Sequence, residues 1–225
     1  MFMSSSGNDM TLLYYTANVI PEKFAVNVRN HLVETAKGKP IISVSQKPID
    51  FGENICVGDI GHSVISVYLQ ILTGLRAAKT KYIACCEDDT IHSPEYFDLD
   101  PEGDTFLYNL RWNVMPSYFY YRRRRNGLCT LVAPRELMIK ISEEKLKRYE
   151  EIKDPYVFAE PGRRSRSIGL SEVVVRGVVT TIPSLTFKHR NSLSGISISL
   201  QSDRRVESLP YWGKASDVWN RFYEN

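Results

Sequence analysis

Three apolar runs in the first ninety residues alternate with two amphipathic stretches. Thr11–Tyr15 is β-rich and gives out at the polar Thr16-Ala17-Asn18. Ile41–Ser45 ends at Gln46-Lys47-Pro48, and Tyr82–Cys86 ends at Glu87-Asp88-Asp89. Between them, residues 21–36 put Phe24, Val28, His31 and Leu32 near one stripe. Residues 62–78 put Val64, Val67, Tyr68, Ile71, Leu72 and Leu75 on one broad face, the spacing of helices packed on one side. Pro21 suits a first helical turn and Gly38 a helix end. A loop carrying Gly52, Gly58 and Gly61 precedes the second helix. Strand–helix–strand–helix–strand is the pattern of a parallel α/β sheet with right-handed crossovers. Ligands bind off the carboxyl ends of such strands, so the three polar segments are expected to gather at one rim.

Beyond residue 97 the pattern loosens. Phe106–Tyr108, Ser117–Tyr121, Leu128–Val132, Val173–Thr181 and Leu185–Phe187 read as strands, and residues 135–150 as a helix after Pro134. The tail from Ser202, with Trp212, Trp219, Phe222 and Tyr223, reads as a helix docking onto the domain. No internal repeat or low-complexity linker is present.

The 225 residues are 43% hydrophobic and 24% charged, values of a globular protein that exclude disorder, collagen-like repeats and coiled coil. No apolar run approaches the roughly 18–20 residues of a membrane span. The first ten residues lack the basic start and apolar stretch of a signal peptide, so a soluble intracellular protein is expected. Cys56, Cys85, Cys86 and Cys129 form no CxxC pair and read as core thiols. The net charge of +3 hides an uneven distribution. Residues 111–176 hold 15 Lys and Arg, 11 of them Arg, against 8 Asp and Glu, while the remainder holds 14 against 18. Arginine binds phosphate bidentately, so a basic middle segment points to an anionic partner on one face.

Glu87-Asp88-Asp89 is the sharpest chemical signal. Three carboxylates at a strand end repel one another unless a cation or solvent compensates, and carboxylate oxygens suit Mg²⁺ or Mn²⁺. Glu87 and Asp89, two apart on an extended chain, point to one side. The competing reading is a solvated acidic turn. His189, between Lys188 and Arg190, opens a polar loop after an apolar strand and can serve a metal, bind phosphate or be structural. Arg122-Arg123-Arg124-Arg125 follows Tyr118-Phe119-Tyr120-Tyr121, and Arg163, Arg164 and Arg166 come later. Such interleaving suits nucleic acid, with cations on phosphates and rings on bases, or is a solvated hairpin tip. Glu160 and Glu172 are carboxylates near this basic segment, each a candidate general base or a structural group. No Walker loop, GxSxG, HExxH or GxGxxG occurs.

Taken in order, these motifs resemble a known family. Val44-Ser45-Gln46-Lys47-Pro48, Gln70-x-x-x-Gly74-Leu75-x-Ala77-Ala78-Lys79-x-Lys81-Tyr82-Ile83, Glu87-x-Asp89 and Pro94-x-x-Phe97 are similar to the nucleotide-sugar-dependent glycosyltransferases of the GT-A fold. More narrowly, the chain resembles a small family-2-like group from phages and bacteria. That group carries counterparts of Tyr108-Asn109-x-Arg111-Trp112, Gly127-Leu128-Cys129, Glu160-Pro161-Gly162 and His189-x-Asn191-x-x-Ser194-Gly195. The resemblance spans roughly residues 11–195. It implies an α/β, GT-A-like (Rossmann-like), mostly parallel central sheet with flanking helices and a smaller C-terminal acceptor region. Residues 1–201 would form the transferase domain, with a nucleotide-sugar half at 11–97 and an acceptor half at 98–201, and 202–225 a docking extension.

By position, the resemblance puts Glu87-x-Asp89 in the place of the DXD motif, with Glu where Asp is usual. Glu87, Asp89 and His189 would then serve a divalent metal (Mn²⁺ or Mg²⁺). Asp88 would lie near the ribose or metal, Thr16, Ala17, Asn18 and Gln46 near base and ribose, and Gln70 and Arg190 on the donor, a UDP-sugar. The acceptor hydroxyl needs a carboxylate base if the enzyme inverts; Glu160 is favoured because Glu-Pro-Gly fixes its backbone, with Glu172 second. No membrane anchor is apparent, and the Arg-rich segments favour double-stranded DNA bearing 5-hydroxymethylpyrimidines as acceptor, in the cytoplasm (the host's, if phage-encoded). A polysaccharide or protein acceptor, and a non-catalytic nucleic-acid-binding protein, are the alternatives.

Overall fold

The computed structural model describes residues 9–121, 126–158, 160–161, 165–193 and 204–224. Its elements run β1 (Met10–Thr16), α1 (Glu22–Thr35), β2 (Ile41–Ser45), β3 (Glu53–Cys56), α2 (Val64–Ala77), β4 (Tyr82–Glu87), β5 (Thr90–Ile91), β6 (Thr105–Asn109) and β7 (Arg111–Val114). They continue with β8 (Phe119–Tyr121), β9 (Leu131–Pro134), α3 (Arg135–Ile152), β10 (Val174–Val178), β11 (Ser184–Phe187), β12 (Arg204–Val206), β13 (Ser208–Leu209), β14 (Gly213–Lys214) and α4 (Ala215–Trp219). The protein is α/β, with a mostly parallel central sheet flanked by helices. The seven-stranded sheet has the order β10-β6-β9-β4-β1-β2-β3. Only β9 runs antiparallel to its neighbours β4 and β6. A second sheet of order β12-β8-β7-β11-β5 lies beyond it.

The inner strands β1, β4, β6 and β9 read as nearly unbroken apolar runs because both their faces are covered, unlike the edge strands β3 and β10. Along β1, Leu13 and Tyr15 join the core against α2 and α3, while Met10, Leu12 and Tyr14 join the core on the opposite face. Likewise β4 sends Ile83 and Cys85 one way and Tyr82, Ala84 and Cys86 the other, so adjacent cysteines serve separate cores. Helix α2 crosses β1 closely at Gly74, where a Cβ would overlap Leu13. Its start is fixed by a reciprocal cap, with Ser66 N–H donating to Ser63 Oγ at 3.2 Å and Ser63 N–H to Ser66 Oγ at 2.8 Å.

Several expectations need correction. The glycine-bearing loop contains β3, an edge strand whose half-exposed Glu-Asn-Ile-Cys shows no alternation; it leaves Cys56 exposed, so only three of the four thiols are core. Leu128–Thr130 is a 3-10 turn, and the strand starts at Leu131. The tail is not one helix: Pro210 and Gly213, whose φ is 76°, interrupt it. Instead β12 pairs antiparallel with β8, and α4 with the helical turn Asn220–Glu224 packs Val218, Trp219 and Phe222 against Phe24, Val28 and Phe187. Among the described residues no helix is long and apolar enough to cross a membrane.

Candidate functional site

The parallel register pairs Thr16 with Ser45 and Tyr15 with Glu87, so β1, β2 and β4 end together. Asn18 Oδ1 joins the ends of β1 and β2 by accepting from the backbone N–H groups of Gln46 and Lys47, each at 2.9 Å. Asn18 has φ 55°, a left-handed conformation that asparagine tolerates better than most residues. Gln70 reaches up from α2 and donates to the carbonyls of Thr16 (2.7 Å) and Val44 (3.0 Å), fastening the helix to both strands. Over these strand ends opens a cavity of about 260 Å³, closed by the first turns of α2, Arg111 of β7, Gly127-Leu128, Phe158, Glu160 and the segment after β11.

The three carboxylates at the end of β4 differ in state. Extended alternation stops at Glu87, because Asp88 and Asp89 turn the chain into β5. Glu87 accepts from Tyr15 Oη at 2.9 Å. Burial, with the charge of Asp89 second, pushes it up to about 7, against the pull of Arg111. Asp88 accepts from Thr16 Oγ1, and burial and Asp89 push it likewise up to about 7. Asp89 goes the other way. Burial alone would raise it, but His189 and Lys188 beside it hold it below the ordinary carboxylate range. Thr90 Oγ1 donates to its Oδ1 at 3.0 Å, and its Oδ2 faces His189 Nε2 at 3.4 Å. That contact is too poorly formed for a hydrogen bond, and the buried Nε2 has no hydrogen-bond partner. Lys188 is depressed by burial, with Asp89 opposing.

Thr16, Ala17, Gln70, Glu87, Asp88, Asp89, Glu160 and His189 all line the cavity. Asn18 and Gln46 do not; they brace the rim, with Gln46 Nε2 donating to Gly61 O at 2.6 Å. Arg190 is exposed, and Lys188 takes the cavity-facing place. Glu172 lies away from the cavity, where it pairs at 3.0 Å with Arg166, both exposed. Arg122, Arg123, Arg124, Arg125, Arg163 and Arg164 lie outside the described residues. Arg111, Lys188 and His62 also line the site; the sequence offers Lys188 only as a phosphate-binding neighbour of His189, Arg111 only as part of a motif, and His62 with no role. For Arg111 a signal existed in Gly127: a Cβ there would overlap the guanidinium, which donates to Cys129 Sγ.

Among the described residues no three His, Cys, Asp or Glu side chains converge as a ready ligand set. Asp89 and the His189 nitrogen, which makes no well-formed hydrogen bond, do face one another, and a hard oxygen beside an imidazole suits a divalent cation such as Mn²⁺, whose other positions a diphosphate and water can fill. Buried carboxylates held near neutrality beside an ionised one also supply a place where added positive charge is favourable.

No family model matches the chain, and no curated protein does. Among solved structures it is similar to a nucleotidyl transferase from Methanothermobacter thermautotroptrophicus, at 15% identity over 79% of this chain and 89% of that one, with a TM-score of 0.47. A glycosyltransferase involved in glycosylation of the major capsid of PBCV-1 matches at 11% identity over 79% and 91%, with a TM-score of 0.47. A Drosophila β1,4-galactosyltransferase 7 mutant, in complex with manganese, UDP-Gal and xylobiose, matches at 15% over 76% and 64%, with a TM-score of 0.43.

Proposed function

We propose that this chain is a GT-A-type glycosyltransferase that uses a divalent cation to move a sugar from a UDP-sugar to a hydroxyl acceptor. One observation carries the reading: a single cavity at the carboxyl ends of the parallel strands holds ionised Asp89, the His189 nitrogen that faces it at 3.4 Å, and Glu160. Asp89 and His189 would hold Mn²⁺ or Mg²⁺, with Asp88 alongside and Glu87 behind, braced by Tyr15. When bound, such an ion stabilises the charge that develops on a departing diphosphate. Lys188 and Arg111 add fixed positive charge to the same cavity. Thr16, Ala17 and Gln70 shape the wall for base and ribose. Glu160 takes the proton from the acceptor hydroxyl as its oxygen attacks the anomeric carbon; with one base and one displacement the configuration inverts.

The acceptor is assigned by charge. The segment 111–176 carries 15 cations against 8 anions, which favours hydroxymethylated pyrimidines in duplex DNA. Arg166 contributes less than the sequence suggests, being paired with Glu172. The test incubates the protein with Mn²⁺, a panel of nucleotide sugars, and either hydroxymethylated duplex DNA or an oligosaccharide. Nucleoside diphosphate release and acceptor mass are followed together. A DNA mass shift is expected; release with a shift only on the oligosaccharide moves the acceptor to glycans, and DNA binding without any release makes the chain a non-catalytic binder.

A further inference from the structure

Lys145 lies on α3 with only 1% of its surface exposed, on the helix that also sends Met138 and Ile141 into the core holding Val157 and Phe158. A buried ammonium in an apolar core is costly unless its protons are used. Here Nζ donates to the carbonyl of Val157 at 2.6 Å and sits 5.4 Å from the centre of the Tyr68 ring. Val157 belongs to the 3-10 turn Pro155–Phe158, whose last residue is two positions before Glu160 in the chain. On the far side of Glu160, Tyr108 Oη donates to the carbonyl of Pro161 at 3.1 Å. The short stretch bearing the carboxylate is thus fastened on both flanks by buried side chains from different elements. Glu160 itself attracts Lys145 electrostatically, and Phe158 and Tyr68 line the cavity beside it.

We propose that Lys145 is a positioning residue whose ammonium, through the Val157 carbonyl and the field it casts on Glu160, sets that carboxylate in the cavity, and that losing its charge, which leaves a weaker neutral N–H donor to Val157 and no field on Glu160, loosens the segment. The inference rests on the assignment of Glu160 as base for its catalytic consequence, though not for its structural one. Burial depresses Lys145 to about 8, against the opposing pull of Glu160, so the loosening falls in an accessible range. Among the described residues the other titratable groups facing this corner include Tyr68 from α2, Tyr108 from β6 and Cys85 from β4, and burial raises all three, so none ionises there.

The test pairs Lys145→Arg, which keeps its charge at every pH used, with Lys145→Met, which keeps the volume and removes the charge. Amide hydrogen exchange of residues 155–161 is measured from pH 7 to pH 9.5, corrected for intrinsic rates. The wild-type segment is expected to lose protection above about pH 8, while Lys145→Arg keeps it and Lys145→Met lacks it throughout. Donor turnover on the active nucleotide sugar should follow the same order. In Lys145→Met, kcat should fall roughly 10–100-fold while UDP affinity stays unchanged, the cost of a misplaced group. A wild-type segment whose protection is flat across this range, or a Lys145→Met protein with wild-type protection, overturns the inference. If Lys145→Met does not fold, the comparison of wild type with Lys145→Arg decides alone. Glu160→Gln separates the two readings: if it turns over normally, the base assignment falls, whereas an inactive Glu160→Gln beside a fully active Lys145→Met sinks only the role of Lys145.

Discussion

Asp89 stays ionised at the expense of its neighbours. Its charge and the burial they share keep Glu87 and Asp88 near 7, well above their ordinary values. In the unfolded chain both are fully ionised above pH 6, so between pH 6 and 8 the native state binds more protons and stability falls as pH rises. The metal-free protein should therefore melt lower at pH 8 than at pH 6, and Glu87→Gln should shrink that drop; equal drops in the two proteins would show that the carboxylates are not held as described. At this scale the sequence was partly legible. Asp88, Asp89, His189 and Glu160 announce themselves by type and by position at strand or loop ends. Arg111 did not, because a basic segment reads as a surface until the fold turns one of its members inward; Lys188 was visible only as a neighbour of His189. Glu172 misleads for a related reason: nearness along the chain to Arg166 became a surface ion pair, not a place in the cavity.

At the scale of elements, the best-read parts were the doubly covered strands β1, β2 and β4. An apolar run that ends abruptly in polar residues locates both the core and the rim. The poorly read parts were edges and insertions. β3 carries too little burial to show a period, and β9 enters antiparallel, a choice made by tertiary pairing that no local pattern records. Two glycines mark where elements approach. Gly127→Ala should push the Arg111 guanidinium off Cys129 and weaken UDP binding, while costing only about 1–3 kcal/mol of stability, the usual range for overpacking. Wild-type UDP affinity in that variant would place Arg111 outside the donor site. Lys145→Met bears on stability as well. It removes a buried charge but orphans the Val157 carbonyl, opposing effects of about 1–3 kcal/mol each, so its melting temperature should stay close to wild type.

For the molecule as a whole, the modest net charge averages an acidic strand-end cavity over a basic middle segment. The chain's last described residues are integral to this arrangement. α4 and the turn after it close the third core, where Trp219 lies 5.8 Å from Phe187 and 4.5 Å from Tyr223, ring centre to ring centre. Phe187 is two residues before His189, so that core fixes the strand from which the histidine projects. Trp219→Ala should cost about 3–5 kcal/mol, a fall of roughly 6–20 °C in melting temperature for a chain of this size. A loss under about 1 kcal/mol would mean that the tail merely lies on the surface. The aromatic content of this tail was visible in the sequence; its strands were not, since Pro210 and Gly213 break the helical period without showing what replaces it.

The central claim is that the cavity takes a nucleoside diphosphate together with a divalent cation through Asp89. Calorimetric titration of UDP into the protein, with Mn²⁺ and then with excess chelator, tests it most directly. Binding should weaken at least about tenfold when Mn²⁺ is withdrawn, a difference of 1.4 kcal/mol or more, and Asp89→Asn should show the weak binding even with Mn²⁺ present. UDP affinity that ignores both Mn²⁺ and Asp89→Asn would contradict the claim.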